Sequence, residues 1–221
     1  MTLAEKIAKS KEILQEALDK FSGKIALVWT GGKDTTTTLH LLRELGKGKV
    51  PIPVLNIDTD VKFKEIYQFR DRLAQEWDLD LRIERNEEAI KTIQIAADKE
   101  ECCLKLKTEV IKAALIKYGW EALISGERWE DQPNRQQESY FSPQKDPPHT
   151  RVHPILHFTE MDIWQYIKEF NLPYCPLYRQ GYRSLGCEPC SRIGSAEGPE
   201  RPGRDQQKAE IMKRLIHMGY L

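Results

Sequence analysis

Trp29-Thr30-Gly31-Gly32-Lys33-Asp34-Thr35 follows the apolar run Ile25-Ala26-Leu27-Val28 and precedes Thr36-Thr37-Thr38-Leu39-His40-Leu41-Leu42. An apolar run, two glycines and a helix-compatible segment read as a strand, a tight turn and a helix start. Glycines let the backbone approach an anion closely, and the unpaired N–H groups at a helix N-terminus point towards it. Thr30 and Thr35 add hydroxyl donors and Lys33 adds a positive charge, so the loop suits a phosphate or sulfate group. The plainer alternative is a turn that needs glycine for its backbone alone. A Walker A loop is excluded, because Leu27 stands where that motif needs its first glycine. A dinucleotide fingerprint is excluded as well, since no G-x-G-x-x-G occurs.

Outward from this loop, strand and helix signals alternate. Thr2-Leu3-Ala4-Glu5 has capping-box spacing ahead of Ile7, Ile13, Leu14 and Leu18, and Gly23 closes that helix. Residues 24–29 form the first predicted strand, and the helix after the loop runs to about Gly46. Pro51 to Ile57 is a second strand ending at Asp58-Thr59-Asp60, Phe63 to Trp77 a helix, and Leu79 to Ile83 a third strand. Helical patterns at 87–98 and 104–118 lead to a fourth strand, Trp120 to Ser125, ending at Gly126. The alternation predicts an α/β fold: a twisted parallel sheet with helices on both faces. Ligands on such sheets bind beyond the carboxyl ends of the strands, where Thr30, Asp58 and Gly126 all fall.

Residues 127–150 are polar and proline-bearing, and read as a substrate-covering loop or partly mobile segment. A helix begins at Thr159, residues 171–203 are Gly/Pro-rich and irregular, and a last helix runs from about Arg204 to Met218. The expected organisation is a nucleotide-binding α/β domain over 1–170, with a cysteine-bearing C-terminal segment, 171–221, packed on the same domain. Trp129, Trp164 and Tyr182 read as packing residues, and His149, His153, His157 and His217 lack metal-ligand spacing.

The chain has 221 residues and 40% hydrophobic content, enough for a sizeable core. Lys+Arg and Asp+Glu number 34 each, so broad electrostatic attraction to nucleic acid is not indicated. No apolar stretch approaches the ~20 residues of a membrane helix. The N-terminus reads as amphipathic rather than as a signal peptide, so the expected location is the cytoplasm.

In a reducing compartment the five cysteines point to metal or redox chemistry before disulfides. Cys102-Cys103 directly precedes a predicted helix, and Cys187-Glu188-Pro189-Cys190 lies in a Gly/Pro-rich loop. Two sulfur pairs on separate segments can close around zinc or an iron–sulfur cluster if the fold brings them together. Vicinal thiolates fit awkwardly on one tetrahedral zinc but can each take a different iron of a cubane, which favours a [4Fe-4S] cluster. Without a metal, the adjacent cysteines are small apolar residues at a helix start and the C-x-x-C is a turn or redox pair. Cys175, in Leu172-Pro173-Tyr174-Cys175-Pro176, is a packed small residue or a candidate nucleophile.

The Thr30–Thr35 string resembles the S-G-G-x-D-S loop of the PP-loop ATP pyrophosphatase superfamily, with Thr at both Ser positions. Over nearly its whole length the chain resembles the adenylyl-sulfate/phosphoadenylyl-sulfate (APS/PAPS) reductase family. Glu101-Cys102-Cys103 with Lys107 and Glu109 is similar to the segment opening that family's cluster-binding helix. Gly181-Tyr182-Arg183-Ser184-Leu185-Gly186-Cys187-Glu188-Pro189-Cys190 is similar to its second cluster segment. Ile57-Asp58-Thr59 resembles the adenosine-side D-T-G segment, with Asp60 in place of Gly, and Gly126-Glu127-Arg128 resembles the nucleotide-contacting G-x-R segment. His153-Pro154-Ile155 through Trp164 resembles the stretch leading into the next family helix.

The resemblance implies an adenine nucleotide alpha hydrolase-like fold and a [4Fe-4S] cluster on Cys102, Cys103, Cys187 and Cys190. It also implies a nucleotide site of Thr30, Gly31, Gly32, Lys33, Asp34, Thr35, Asp58, Thr59, Gly126, Arg128 and Arg183. Reductases of the family carry a C-terminal E-C-G-(L/I)-H segment with the attacking cysteine. Here the last cysteine is Cys190, and the tail through Gly219-Tyr220-Leu221 is closer to that of ATP sulfurylase small subunits.

Sulfonucleotide reduction, releasing sulfite and AMP or its 3′-phosphate, is therefore the first expectation, with Lys33, Arg128 and Cys175 as candidate catalytic residues. ATP-using chemistry at the α-phosphate is the alternative, with Mg²⁺ on Asp34 or Asp58 and charge neutralised by Lys33, Arg128 and Arg183. The duller readings are Asp58 as a helix cap and the two arginines as surface ion-pair partners. A non-catalytic iron–sulfur sensor or electron carrier is a third reading, and PP-loop relatives that thiolate RNA or DNA a fourth. Expected partners are APS, PAPS or ATP, with a thioredoxin-like thiol donor or a second subunit; a homo-oligomer is compatible, and no membrane partner is expected.

Overall fold

Ile25–Val28 (β1) is buried at all four positions, as are Val54–Ile57 (β2) and the three residues of Ala122–Ile124 (β4). Unbroken burial is the mark of strands covered on both faces, where alternation has no polar side to report. In the computed structural model, which describes residues 1–131 and 135–193, these strands lie at the centre of a six-stranded sheet. Leu81–Glu84 (β3) is one edge; Phe141–Lys145 (β5) and Pro148–Val152 (β6) form the other, in the order β3-β2-β1-β4-β6-β5. All pairings are parallel except β5 with β6.

Successive strand residues serve opposite layers. Ile25, Leu27, Val54, Ala122, Ile124 and Val152 join one core with residues of Leu3–Lys20 (α1), Lys33–Leu45 (α2), Lys64–Glu76 (α3) and Glu160–Glu169 (α7). Ala26, Val28, Leu55, Ile57 and Leu123 join a second core with Glu109–Tyr118 (α6). Helices therefore cover both faces, as expected.

Two helix starts follow the sequence signals closely. Thr2 accepts from the Glu5 amide at 3.3 Å while the Glu5 carboxylate accepts from the Thr2 amide at 2.7 Å, a reciprocal box that Thr159 and Asp162 repeat at α7. The helix C-terminal to the anion loop ends at Gly46, as predicted.

Four expectations need correction. The polar stretch 127–150, expected as a substrate-covering loop or partly mobile segment, carries β5 and leads into β6, a hairpin that extends the sheet through Ala122↔Thr150, Leu123↔Arg151 and Ile124↔Val152. The pattern at 87–98 is helical only over Glu87–Thr92 (α4). Pro51-Ile52-Pro53 lies outside β2. The helical run that Cys102 and Cys103 precede begins earlier than expected: both cysteines already end Lys99–Cys103 (α5), whose start is capped by Asp98. α5 runs into a π-helical turn, Leu104–Thr108, and then α6. Such π-turns recur at functional sites.

The helix expected from about Arg204 to Met218, the chain end and His217 lie outside the described residues. No helix among the described residues is long and apolar enough to cross a membrane.

Candidate active site

β1 has β2 on one side and β4 on the other, so the crevice beyond the ends of β1 and β4 is the switch point where open α/β sheets bind ligands. The anion loop occupies it. Gly31 has φ +79°, a conformation strained for any residue with a β-carbon, and a β-carbon there would also meet Ile66 at 3.2 Å. Gly32 is the N-cap of α2, whose first turn is set by the Thr36 N–H to Gly32 C=O bond at 2.9 Å. Trp29, wholly buried beneath, donates its indole N–H to Thr36 at 3.0 Å and fixes the loop from below.

The loop's amides are engaged by protein oxygens. Thr30 N–H donates to Thr35 Oγ1 and Gly32 N–H to Thr30 Oγ1, each at 3.3 Å. Lys33 N–H donates to the Tyr178 hydroxyl at 2.9 Å. The Lys33 side chain is buried, with its ammonium 3.3 Å from Asp34 Oδ2, 3.3 Å from the Arg183 carbonyl and 5.6 Å from the Tyr178 ring centre.

Arg128 is fully buried and joins the loop to the segment after β4. Its Nε lies 2.8 Å from Asp34, its Nη2 donates to Asp131 at 2.9 Å, and its Nη1 pairs with Glu130. Glu130 also accepts from the Glu160 amide at the start of α7, and the Glu160 carboxylate pairs with Arg183 at 2.5 Å. Since Arg183 in turn holds Lys33, a ring of polar contacts runs Lys33–Asp34–Arg128–Glu130–Glu160–Arg183. Neither arginine is an ordinary surface ion-pair partner.

On the β2 side, Asp58 accepts from the Asp60 amide and the Tyr67 hydroxyl, each at 2.9 Å. Burial pushes its carboxyl up, but those two bonds, with Lys62 and Arg70 nearby, outweigh burial and hold it below the usual range. Asp60 takes φ +60°, a left-handed conformation that Asp tolerates and glycine adopts freely, which accounts for the aspartate standing at a glycine position of the resembled segment.

Thr59 turns away to the cysteines, its hydroxyl 3.3 Å from Cys187 Sγ. Cys102, Cys103, Cys187 and Cys190 line one small cavity with Thr59, Leu106 and Lys107. The Cys187 turn is held there by the Glu188 N–H to Val61 C=O bond at 2.8 Å and a bridge to Lys62. Burial raises the Cys102 thiol, and the neighbouring Cys103 and Cys187 add to it. That crowding of sulfurs is what a bound cationic centre relieves, so the donor set fits an all-thiolate metal group. Among the described residues no three His, Cys, Asp or Glu side chains converge on a single ion, whereas four thiolates on one zinc at about 2.3 Å would stand roughly 3.8 Å apart.

Cys175 belongs to the main core and is wholly buried. Burial pushes its thiol up to about 11, which counts against a nucleophilic role because the thiolate is the reactive form. Trp129, Trp164 and Tyr182 pack on Tyr140, on Tyr174 and Tyr178, and on Phe63.

Sequence reasoning missed a buried charged cluster at the ends of β4 and β6. Glu127 pairs with Arg135, His153 Nδ1 lies 2.7 Å from Ser125 Oγ, and the guanidinium of Arg151 is buried close by. Burial pushes the Glu127 carboxyl up, but Arg135, His153 and Arg151 outweigh it and keep it low; burial lowers His153. The i, i+2 spacing of Arg151 and His153 on one strand face was the available signal.

An open α/β sheet with a glycine loop at its switch point is an architecture of nucleotide-binding proteins, the PP-loop type among them. The phosphoadenosine phosphosulfate reductase domain family matches residues 24–193, and the chain belongs to that family. A curated relative, sulfate adenylyltransferase subunit 2 of Shewanella amazonensis, is 34% identical over 206 residues, 80% of this chain and 67% of its own. The chain spans about two thirds of the length of such relatives, 65% for the Psychromonas ingrahamii protein. Among solved structures, PAPS reductase from Candida auris matches with TM-score 0.70 and 19% identity over 81% of this chain and 88% of its own. Candida glabrata FMN adenylyltransferase matches with TM-score 0.70 and 22% identity over 98% and 82%.

Proposed function

We propose that the chain is an ATP-using member of the family that catalyses transfer of the adenylyl group to an oxyanion acceptor. The acceptor oxygen attacks the α-phosphorus, the bond to the bridging oxygen breaks, and pyrophosphate leaves. The observation that carries this reading is the intact anion loop: left-handed Gly31, capping Gly32, Lys33, and Asp34 held to Arg128. The named relatives, sulfate adenylyltransferase subunits, support sulfate as the acceptor and a second subunit as a partner.

Each residue has a separable task. The amides of Gly32 and Lys33 bind the leaving pyrophosphate, a charge-assisted bond being worth about 1.5–3 kcal/mol. Lys33 offsets charge developing on the phosphates while Arg128, paired with Asp34, holds the loop in place, and no protein nucleophile is needed. Asp34 is committed to Lys33 and Arg128, and Asp58 to Tyr67 and a backbone amide, so Mg²⁺ would arrive on the ATP phosphates.

Cys102, Cys103, Cys187 and Cys190 would hold a [4Fe-4S] cluster. Bound there, it would supply a redox-active centre and tie α5 to the Cys187 turn.

One observation favours a second reading, sulfonucleotide reduction: Thr59 links the nucleotide-side segment directly to Cys187. In that case the attacking thiolate comes from a partner such as a thioredoxin-like protein, since Cys175 is buried. Incubating anaerobically prepared protein separately with ATP plus sulfate, APS and PAPS tests both. Formation of adenylyl sulfate and pyrophosphate from ATP plus sulfate supports the first; sulfite from APS or PAPS with a dithiol supports the second.

A further inference from the structure

We propose that Tyr178 is a positioning residue for the anion loop: its hydroxyl holds the Lys33 amide until a polyphosphate oxygen replaces it, and this exchange loosens the Cys187–Cys190 turn. The proposal rests on the anion-loop reading above and adds how occupancy of that loop reaches the cysteine cavity.

Three loop amides are held in this state, but not equally. The acceptors for Thr30 and Gly32 are the loop's own threonine hydroxyls at 3.3 Å, which can rotate away without moving the chain. The acceptor for Lys33 is shorter, 2.9 Å, and comes from 145 residues further along. An amide proton has one strong bond to give, and a charged phosphate oxygen is a stronger acceptor than a neutral phenol. Exchange is therefore favourable once a polyphosphate enters.

The phenol cannot leave by side-chain rotation alone. Its ring is set edge-on against Trp164 at 5.3 Å and carries the Lys33 ammonium over its face at 5.6 Å. Its own amide is tied to the Cys175 carbonyl at 3.2 Å, inside the short 3₁₀ turn Pro176–Gln180. Vacating the Lys33 amide thus shifts the turn. The turn continues through the Tyr182 N–H to Leu177 C=O bond into Arg183, whose carbonyl binds the Lys33 ammonium, and on to Cys187. The Cys187 end is anchored on the β2 side, through Thr59, Val61 and Lys62. Movement at Tyr178 is felt at the cysteines.

The test is hydrogen–deuterium exchange of residues 176–190 in the full-length, anaerobically prepared protein, with and without saturating inorganic pyrophosphate, beside calorimetric pyrophosphate affinity. In the native chain, pyrophosphate should speed exchange of this segment about three- to tenfold, the range expected for loss of one hydrogen bond. In Y178F the segment should exchange fast already, pyrophosphate should add nothing, and its affinity should rise about three- to tenfold. Unchanged or slower exchange in the native chain with pyrophosphate bound would overturn the proposal, as would weaker binding by Y178F, which means the phenol donates to the anion. The native-chain comparison decides by itself if Y178F fails to fold. Absence of any pyrophosphate binding to the native chain overturns this proposal together with the anion-loop reading, whereas binding without a change at 176–190 overturns this one alone.

Discussion

Gly126 lies against the backbone of Thr35: a β-carbon added at Gly126 would stand 2.7 Å from the Thr35 nitrogen and 2.9 Å from the Asp34 carbonyl carbon. The end of β4 therefore closes directly on the first turn of α2, and Arg128, two residues on, reaches Asp34. Neither backbone can yield without moving the loop that β1 delivers. Gly126→Ala should lower ATP and pyrophosphate affinity at least tenfold, with a stability loss of about 1–3 kcal/mol from overpacking. Calorimetric binding with a urea unfolding curve checks both, and native-like affinity would show that the contact is slack.

Arg128 is buried among Asp34, Glu130 and Asp131, and its loss would remove the guanidinium that these carboxylates share. Arg128→Ala should cost about 2–4 kcal/mol, less than a fully enclosed pair because Glu130 is largely exposed. Arg128→Lys should recover only part of this, since an ammonium cannot serve three carboxylates in one plane. The urea midpoint is the readout, and an unchanged midpoint in Arg128→Ala would refute the role.

How much of this was legible in the chain follows from where the signals are local. Strand, double glycine and helix start stand in one stretch, so the loop at Gly31-Gly32 can be read from the residues alone. The β5–β6 hairpin cannot, because β5 is an edge strand with only Ser142 buried, and its residues carry no apolar alternation. The start of α5 was missed although Asp98, with Glu100 and Glu101 in the first turn, is a good cap signal. The two cysteine pairs could be matched by type, but only the fold brings Thr59 between the nucleotide side and Cys187. Of the buried charged cluster only Arg151 and His153, two apart on one strand, leave a local trace; Glu127 and Arg135 meet them only when the fold closes.

Cys175 should behave as a core residue. With its thiol pushed up to about 11 by burial, about one molecule in a thousand carries the thiolate at pH 8. Alkylation at Cys175 should be slow and should rise about tenfold per pH unit until pH nears that value. Cys175→Ser should retain most nucleotide turnover. Rapid labelling of Cys175 at pH 7, or loss of sulfite formation from APS in the serine variant with the iron intact, would restore it as a nucleophile.

Protein purified without oxygen should be brown and hold about four irons per chain. Cys103→Ser and Cys187→Ser, drawn from the two separate segments, should each lose most of that iron while pyrophosphate binding persists. Colourless protein with one stoichiometric zinc would replace the cluster by a tetrahedral site.

The most direct test of the central claim is the fate of ATP labelled in its α-phosphate, followed in the anaerobic holo-protein with sulfate and, in parallel, of APS and PAPS with a dithiol. Adenylyl transfer predicts cleavage between the α- and β-phosphates, with labelled adenylyl sulfate and pyrophosphate appearing in equal amounts, and loss of this reaction in Lys33→Ala. Intact ATP beside steady sulfite release from APS or PAPS would contradict it and make the chain a reductase.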